Sequence, residues 1–315
     1  MAKVCVFLAT YNGEKYLTQM LDSLIAQTRP ANLIVAVDDG SKDGSVQILY
    51  SYRDRLPLQI HLNPTNMGHR YTFSRALEIA KEQISDEDYV ALADQDDIWL
   101  PQKLETLEKE FEKQQGSALI FGDAQVIDGQ GKVICSSWRK EQGLFAELEF
   151  CARIAGINNV TGCLSLFRAS LLKKVLPIPE GVGVHDAWIA LYAEKNGGVL
   201  SIAAPVIQYR LHENNAVGKG THFSFDVTCN KQIEWMALLM EHKNSLAMTK
   251  DEADFTYTLC SYWNERLHKF ILFEFAFWLF QKRHLLFPAK KARYKKIIFS
   301  LLGAPAVHLF FGKSK

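Results

Sequence analysis

The stretch Ala91-Leu-Ala-Asp94-Gln95-Asp96-Asp97-Ile-Trp99-Leu-Pro101 decides the fold of this chain. The apolar run that leads into it, over residues 88–93, is typical of a buried strand and stops abruptly on three carboxylates. After Pro101 the apolar residues recur with the spacing of a helix. The carboxylates are therefore predicted to lie on a strand-to-helix turn, which is where open α/β sheets bind ligands.

Three carboxylates within four residues repel one another, so other groups are expected to offset the repulsion. Such clusters usually hold a divalent cation or a polar ligand, and a solvated acidic turn is the alternative. A second apolar run, over residues 33–37, also ends on acids, Asp38 and Asp39. Because parallel strands end at a common edge, both acidic turns are predicted on one anionic rim. An all-oxygen site of this kind suits Mg²⁺ or Mn²⁺, and the cation can in turn bind a diphosphate.

Strand and helix patterns alternate over the first hundred residues. Strands are predicted at 4–9, 33–37, 58–62 and 88–93, and helices at 16–25, 45–52 and 71–82. This alternation indicates a Rossmann-like α/β fold, in which helices flank a mostly parallel sheet. Beyond residue 118 the pattern indicates shorter, mixed strands. Neither of the glycine-rich motifs for ATP or NAD is present after the first strand, so those modes of binding are not supported.

The composition is that of an ordinary globular protein. With 315 residues, 48% of them hydrophobic, the chain can bury a sizeable core as one domain or as one domain with an appendage. The formal net charge of +1 gives no case for nucleic-acid binding. Basic charge is concentrated at one end, since residues 275–315 hold nine Lys or Arg and no acid.

Cysteine usage and the first residues bear on the compartment. Six cysteines lie far apart without a C-x-x-C pair, which favours a reducing compartment and gives no structural zinc site. The first apolar run is too short for a signal peptide and continues into a strand pattern, so export is not expected. We therefore expect a cytoplasmic protein.

Two polar segments in the second half carry further candidates. Gly181-Val-Gly-Val-His185-Asp186-Ala-Trp188 is predicted as a flexible loop before a helix over 187–194, and Asp186 is either a functional carboxylate or the N-cap of that helix. Pro205-Val-Ile-Gln-Tyr209-Arg210-Leu-His212 is predicted as a strand that ends in a polar, basic loop. A single loop histidine such as His212 is more often solvated than a ligand.

Together these motifs resemble the inverting family 2 glycosyltransferases of the GT-A fold, and within them the bacterial rhamnosyltransferase-like group. The resemblance covers roughly residues 4–215, and its parts follow the order of the family. Those parts are Thr10-Tyr11-Asn12, Val37-Asp38-Asp39-Gly40-Ser41 with Asp43, Asn66-x-Gly68, and the D-x-D element Asp94-Gln95-Asp96-Asp97. The elements similar to the rhamnosyltransferase-like group are Asp-Gln-Asp-Asp-x-Trp, His185-Asp186-x-Trp188 and Tyr209-Arg210-x-His212-x-x-Asn215.

The resemblance implies a nucleotide site at the first two turns. Asp39 would accept the N3–H of a uracil or thymine base, a bond for which a carboxylate is apt. Thr10 and Tyr11 would line the base pocket, and Asn12 would belong to the same donor site. The donor would then be a UDP- or dTDP-sugar.

The resemblance also implies a metal and diphosphate site at the turn formed by residues 94–97, which is called the acid turn below. Asp96 would ligate Mn²⁺ or Mg²⁺, and His212 would be a further candidate ligand of the metal or the diphosphate. Asp94 would contact the ribose or metal-bound water and is another candidate metal ligand. Asp97 would assist or cap the next helix, and Arg210 would neutralise leaving-group charge.

Asp186 matches the position of the catalytic base in the family. Inversion in a single displacement needs a base that takes the proton of the acceptor hydroxyl. Many members of the family have Glu-Asp at this element, so the role of His185 in this chain is open. The implied activity is transfer of a sugar, best interpreted as rhamnose, to a saccharide acceptor in bacterial surface polysaccharide synthesis such as that of O-antigen. Lipid-linked saccharides are included among the acceptors.

The last third is predicted to be helical, which gives a catalytic domain over 1–216 and a C-terminal region over 217–315. Residues 1–100 would be the nucleotide half of the catalytic domain and 101–216 the acceptor half. Residues 270–280 and 297–311 are very apolar but shorter than the ~20 residues of a spanning helix. Basic residues lie between them, which favours an interfacial anchor on the inner face of the cell membrane. A helical subdomain or an oligomer interface with a solvated basic face is the alternative.

Two other functions compete with glycosyl transfer. A sugar-1-phosphate nucleotidyltransferase shares a related fold, but it would want a Gly-rich, basic loop where this chain has Thr10-Tyr-Asn-Gly-Glu. A non-catalytic carbohydrate-binding or membrane-binding module would have no use for acids such as Asp39, Asp96 and Asp186.

Overall fold

The chain forms two compact units in the computed structural model, which describes residues 2–143, 146–213, 224–287 and 293–311. Unit 1 comprises residues 1–147 and 159–213, and unit 2 comprises residues 148–158 and 214–315. Unit 2 therefore includes a short segment, 148–158, that the sequence pattern places in the acceptor half. Asn215, the last residue of the Tyr209 motif, lies outside the described residues.

Unit 1 is built on a nine-stranded sheet in the order β3-β2-β1-β4-β8-β6-β9-β5, with β7 paired to β6. The first four strands in that order are parallel, and β8 runs antiparallel to both β4 and β6. The α/β fold with a flanked, partly parallel sheet is confirmed. The strands are β1 (Val4–Thr10), β2 (Leu33–Asp38), β3 (Leu58–Leu62), β4 (Tyr89–Asp94), β5 (Ile98–Trp99), β6 (Leu119–Ile127), β7 (Val133–Cys135), β8 (Ser165–Arg168) and β9 (Val199–Arg210).

The parallel half brings the acidic turns together. β1 lies between β2 and β4, and its last residues pair with Asp38 on one side and Asp94 on the other. These three strands are apolar along nearly their whole length because helices cover both faces of a parallel sheet. The turns after all three strands therefore open on the same edge, as predicted.

Helices connect the strands of unit 1. In α1 the buried side chains recur at helical spacing, with Leu17, Met20, Leu21 and Leu24 facing the core. The longer helices are α1 (Glu14–Ile25), α2 (Ser45–Ser51), α3 (His69–Lys81), α4 (Lys103–Lys113) and α8 (His185–Lys195). The short helices are α5 (Trp138–Gln142) and α7 (Leu172–Val175), and 3-10 turns form at Gly162–Leu164 and Ala169–Leu171.

The mixed half differs from the sequence prediction in its strands. The predicted start of a strand at Pro205 is wrong, because β9 begins at Val199 and continues through that proline. Proline cannot donate a ladder hydrogen bond, and here it pairs with Asp123 where the β6–β9 register shifts on both sides. The short strands β5 and β7 also form without a clear pattern of their own, since each is completed by a longer neighbour.

Unit 2 is helical in its described residues. Its helices are α6 (Phe150–Ile154), α9 (Phe225–Glu241), α10 (Lys250–His268), α11 (Ala276–Gln281), α12 (Arg283–Leu286), α13 (Arg293–Ser300) and α14 (Ala304–Phe311). A capping box starts α10, where Thr249 and Glu252 satisfy each other's backbone N–H groups. Phe225, Cys229, Ala304 and Val307 form a small core between α9, α10 and α14. Across the described ranges, no helix is both long and apolar enough to cross a membrane.

Candidate active site

The loops after β1 and β2 are joined by side-chain hydrogen bonds. The backbone N–H of Asn12 donates to Ser41 Oγ at 2.8 Å, and Lys42 N–H donates to Asn12 Oδ1 at 2.8 Å. Asn12 has a φ of 47°, a left-handed conformation that asparagine tolerates better than most residues. Asn12 therefore links the loops after β1 and β2 through its own backbone and side-chain amides.

Thr10 is also a loop-forming residue. It is buried, and its hydroxyl donates to Asp38 Oδ2 at 2.8 Å. The same carboxylate accepts Ser41 Oγ at 2.6 Å and Ser41 N–H at 2.8 Å, so Asp38 ties the two turns together. Tyr11, by contrast, is 43% exposed, and it is the residue of the Thr-Tyr-Asn motif whose ring is open to a ligand.

Asp39 is held by three hydrogen bonds from the segment that leads into α3. Its Oδ1 accepts Asn63 Nδ2 at 2.7 Å and Met67 N–H at 2.8 Å, and its Oδ2 accepts Gly68 N–H at 2.8 Å. Gly68 has a φ of 88°, which a glycine adopts without strain. Each carboxylate oxygen accepts two bonds, so Oδ2 keeps capacity for one further donor. Its contact with a base N3–H stays a prediction.

Gln95 joins the acid turn to the turn after β1. Its Oε1 accepts Tyr11 N–H at 2.8 Å, and its Nε2 donates to Tyr11 O at 3.0 Å. A Cβ at Gly13 would lie 2.2 Å from Gln95 Oε1, so a larger residue there would displace the Gln95 amide from this position. Sequence patterns did not single out Gln95, although an amide between two acids was a usable signal. The result is a fixed distance between the predicted base site and the predicted metal site.

Asp96 and His212 form a close pair at the partly open side of the acid turn. Their side chains are 17% and 14% exposed, and Asp96 Oδ2 lies 2.8 Å from His212 Nε2. Two adjacent ligands of an octahedral ion, each about 2.1 Å from it, lie about 3.0 Å apart. The 2.8 Å separation is that of a hydrogen bond between the two side chains, and it also allows both to ligate one divalent cation, with carboxylate oxygen as the ligand that Mn²⁺ and Mg²⁺ prefer. The structure brings together these two predicted ligands, and their role stays a prediction.

Arg210 is buried and directed at the protein. Its Nε donates to Asp96 O at 2.8 Å, its Nη2 donates to Gln19 Oε1 at 2.6 Å, and its guanidinium lies over the ring of Tyr16. Its Nη1 donates to the carbonyl oxygens of Asp128 and Gly129 at 3.3 and 3.4 Å. This geometry favours a supporting role for Arg210 beneath the acid turn, and direct contact with a diphosphate stays a prediction.

Asp94 and Asp97 face a more buried environment with Cys163. Ligand atoms of these three residues lie within 4.8 Å of one another. Burial raises the pKa of Asp94 to about 7, with a further contribution from the charge of Asp96. Burial also raises the pKa of the Cys163 thiol, which therefore stays protonated and is a poor ligand for a hard cation. The Asp96 side of the turn suits the metal better than this side.

Asp97 does not cap the next helix, which corrects that prediction. It is buried, its Oδ1 accepts the backbone N–H of Arg210 at 3.0 Å, and the N-cap of α4 is Gln102. Burial holds the pKa of Asp97 well above its usual range. The carboxylate thus anchors the end of β9 to the acid turn.

Lys103 is, with Arg210, a buried basic residue of the site. It is 1% exposed, its ammonium donates to Cys163 O at 2.6 Å, and Nζ lies 3.1 Å from the ring centroid of Trp99. Burial lowers its pKa to about 7, while the nearby Asp97 and Asp94 oppose that change. No sequence motif indicated this residue, because a lysine early in an amphipathic helix is usually solvated.

Asp186 lies in the first turn of α8, and the alternative of an N-cap is wrong because Val184 occupies that position. Asp186 Oδ2 accepts Gly162 N–H at 3.1 Å. The charge of Asp186 is close enough to Asp94 to contribute to the raised pKa of that carboxyl. Gly162 also lies against Leu92 of β4, the strand that ends at Asp94, so Asp186 is near the acid turn.

His185 is a packing residue rather than a solvated one. It is 7% exposed, and its ring lies 4.2 Å from that of Phe73 and 6.1 Å from that of His69. Burial, with the nearby His69, lowers the pKa of His185 to about 3. Its Nδ1 has no hydrogen-bond partner within the described ranges. His185 is therefore neutral at physiological pH.

This chain is similar in sequence to known glycosyltransferases. The model of a family described as "Glycosyl transferase family 2" matches residues 5–176. An uncharacterized glycosyltransferase of Nostoc sp. is 29% identical over 221 residues, covering 68% of this chain and 66% of that protein. The dTDP-rhamnosyl transferase RfbG of Shigella flexneri is 25% identical over 229 residues, covering 69% of this chain and 75% of that protein.

A third relative, an uncharacterized glycosyltransferase of Methanocaldococcus jannaschii, is 30% identical over 149 residues. That match covers 46% of this chain, and it spans only 49% of the archaeal protein. The chain thus spans less than two thirds of the length of the archaeal and Nostoc relatives.

Two solved structures share the fold. Staphylococcus aureus TarS 1–349 in complex with UDP-GlcNAc superposes with a TM-score of 0.61 at 19% identity, covering 95% of this chain and 81% of that one. The mannosyltransferase PcManGT of Pyrobaculum calidifontis, in complex with GDP-Man and Mn²⁺, gives 0.54 at 18% identity and covers 98% and 87%. At these identities the likeness supports the fold alone.

Proposed function

The chain belongs to glycosyl transferase family 2 and is a glycosyltransferase, and from that premise we propose that it moves a sugar from a UDP- or dTDP-sugar to a saccharide acceptor with inversion. One observation carries the proposal. The turns after β2, β1 and β4 open on one sheet edge, and Asp186 lies near β4, since Gly162 is next to both Asp186 and Leu92 of that strand. The residues that would bind the base, those that would bind the metal and the diphosphate, and the residue that would take the proton then lie next to one another.

The base would bind beside Asp39. Its Oδ2 has room for one more donor, and the N3–H of uracil or thymine is a donor of the required kind. A buried carboxylate held by three hydrogen bonds loses little freedom when the base arrives, which favours binding. Tyr11 would cover the base from the exposed side.

Asp96 and His212 would hold Mn²⁺ or Mg²⁺, and Asp94 would contact the ribose or metal-bound water. When bound, the cation supplies stabilisation of the negative charge on the departing nucleoside diphosphate. Arg210 and Asp97 would keep the ligands in place, because they join β9 to the acid turn. Gln95 would hold the ligands at a set distance from the base pocket.

Asp186 would act as the general base. It takes the proton of the acceptor hydroxyl while that oxygen bonds to the anomeric carbon and the bond from that carbon to the diphosphate oxygen breaks. Attack from the side opposite the leaving group inverts the anomeric centre. The reacting sugar has oxocarbenium character, so a nearby carboxylate also stabilises it electrostatically.

The donor sugar we propose is rhamnose carried by dTDP, and the product belongs to bacterial surface polysaccharide such as O-antigen. The support is the likeness to a dTDP-rhamnosyl transferase across 69% of this chain. Another relative, a poly(ribitol-phosphate) beta-N-acetylglucosaminyltransferase of Staphylococcus aureus, is 37% identical over 99 residues, which keeps UDP-GlcNAc in the donor panel. A lipid-linked saccharide is the acceptor we favour.

We further propose that the C-terminal region binds the inner face of the cell membrane. Five large apolar side chains there are more than 60% exposed. Lys295 and Lys296 are exposed on α13, which suits an anionic lipid surface. Association of two copies through the same residues is the competing use of this surface. The five side chains are those of Phe273, Phe277, Ile298, Leu309 and Phe310.

A donor panel tests the proposed function. The purified chain is incubated with dTDP-rhamnose, UDP-GlcNAc, UDP-glucose and GDP-mannose, each with and without Mn²⁺, and free nucleoside diphosphate is measured. We expect release from a UDP- or dTDP-sugar that depends on the metal and on a saccharide acceptor. If the chain instead formed nucleoside triphosphate and sugar-1-phosphate from a nucleotide sugar and added pyrophosphate, it would be a nucleotidyltransferase, and no release of nucleoside diphosphate with any donor would overturn the proposal.

A further inference from the structure

The ammonium of Lys103 touches two elements that are far apart in sequence. On one side, its Nζ lies 3.1 Å from the ring centroid of Trp99, which directly follows the acid turn. On the other side it donates to the carbonyl of Cys163 at 2.6 Å, in the 3-10 turn Gly162–Leu164. All three residues are at most 2% exposed, so these contacts are made away from water.

The same 3-10 turn also holds Asp186. Its first residue, Gly162, donates its backbone N–H to Asp186 Oδ2 at 3.1 Å. The turn fits closely against α8, because a Cβ at Gly162 would lie 3.2 Å from His185 Nε2 and 3.6 Å from Asp186 Cβ. A movement of the turn would therefore move the hydrogen bond that orients Asp186.

We propose that Lys103 is a positioning residue for the reaction: it fixes the Gly162–Leu164 turn against the acid turn, and the turn in turn orients Asp186. This inference rests on the proposed function, in which Asp186 is the base. It extends that function by joining the metal and diphosphate site to the base through one ammonium group.

A structural role alone would not need a lysine at this position. Burying an ammonium costs free energy, and an apolar side chain of similar length, such as methionine, would fill the same space more cheaply. What methionine lacks is a donor for Cys163 O and a charge for the Trp99 ring. A role in holding the Gly162–Leu164 turn, and with it Asp186, accounts for a lysine at this buried position.

The main test is Lys103→Met, measured with the donor and acceptor found in the panel. We expect kcat to fall about 100-fold, the effect of misplacing a reacting group by about 1 Å. We expect the KM for the donor and the Kd for the nucleoside diphosphate with Mn²⁺ to change less than threefold. This split separates misorientation of Asp186 from damage to the donor site.

The matched control is Leu107→Ala, a cavity in the fully buried face of the same helix. We expect it to lower the melting temperature at least as much as Lys103→Met while leaving kcat of the folded enzyme within twofold of the wild type. Equal loss of kcat in both variants would mean that Lys103 only stabilises α4, and the proposal would be wrong.

Gly162→Ala disturbs the same link from its other end and leaves Lys103 in place. The added methyl group would lie 3.2 Å from both His185 Nε2 and Leu92 Cδ1, so the turn or these neighbours must shift by a few tenths of an ångström, and we expect kcat to fall with unchanged nucleotide affinity. This variant decides the question if Lys103→Met does not fold, and wild-type kcat in Gly162→Ala would overturn the proposal. An inactive wild-type chain would refute the proposed function instead, so the two failures are distinguishable.

Discussion

The two units of the molecule treat their side chains in opposite ways. Unit 1 holds buried polar groups in specific hydrogen bonds, as for Asp39, whose carboxylate accepts three hydrogen bonds at 2.7–2.8 Å. Unit 2 leaves large apolar groups in water, with Phe273 73% exposed and Phe277 72% exposed. The difference teaches that single atoms should decide the behaviour of unit 1, whereas summed area and charge should decide that of unit 2.

The strongest test of this contrast is Asp186→Asn, which removes one ionisable oxygen. We expect kcat to fall about 1,000-fold or more, because an amide cannot take the acceptor proton. Binding of the nucleoside diphosphate with Mn²⁺, measured by calorimetry, should stay within threefold of wild type. Unchanged turnover would refute the assignment of Asp186 as the base.

Asp96→Ala should have the next largest effect, because it removes one carboxylate of the predicted metal site. We expect donor affinity in the presence of Mn²⁺ to fall about 10- to 100-fold, to the value measured without metal. Asp86→Ala, which breaks an exposed ion pair with Lys173, serves as the control and should bind normally. A variant that still binds donor more tightly with Mn²⁺ than without it would contradict the ligand role.

Unit 2 should respond to area rather than to one atom. We expect the double substitution Phe273→Ser with Phe277→Ser to lower binding to anionic vesicles about tenfold in a flotation assay, because exposed phenyl groups no longer enter the interface. Turnover with a soluble acceptor should not change. Tyr257→Ser, at an equally open position on α10, should float like the wild type. Normal flotation of the double variant, with a change in oligomeric state, would favour a protein interface.

The smallest expected effect is on stability and involves His185. Its pKa is about 3 in the folded state against 6.5 for the free side chain, so the unfolded state binds more protons between those values. Stability is fully present above about pH 6.5 and falls as the pH drops toward 3. We expect His185→Leu to gain about 1–2 kcal/mol over wild type between pH 7 and pH 5, measured by urea unfolding at both values. Parallel pH profiles would show that His185 is not buried in neutral form.

The parallel half of the sheet could be predicted because its information is local. The strands β1, β2 and β4 are short apolar runs followed by turn residues, and the shared edge follows from parallel pairing. The mixed half could not, because β9 passes through Pro205 and depends on a register shift opposite Asp123. The pattern of residues along β9 does not show which strand it pairs with or where the register shifts.

The site residues divide in the same way. Asp39, Asp96 and Asp186 stand out in the sequence because each is an acid in a short polar segment next to an apolar run. Gln95 and Lys103 do not, because their roles come from contacts with Tyr11 and Cys163, which are 84 and 60 positions away. Arg210 was visible as a basic residue, but its burial beneath the acid turn is a property of the folded chain.

The pairing of Asp96 with His212 also bears on the order in which the molecule assembles. These residues are 116 positions apart, and the bond between Asp97 and Arg210 N–H that aligns them spans 113. Contacts between residues so far apart in sequence form late during folding, because bringing them together costs the conformational entropy of the chain between them. In refolding from urea, we therefore expect nucleotide affinity to return before its dependence on Mn²⁺. A newly made chain would be able to hold a nucleotide before it could release the sugar from it.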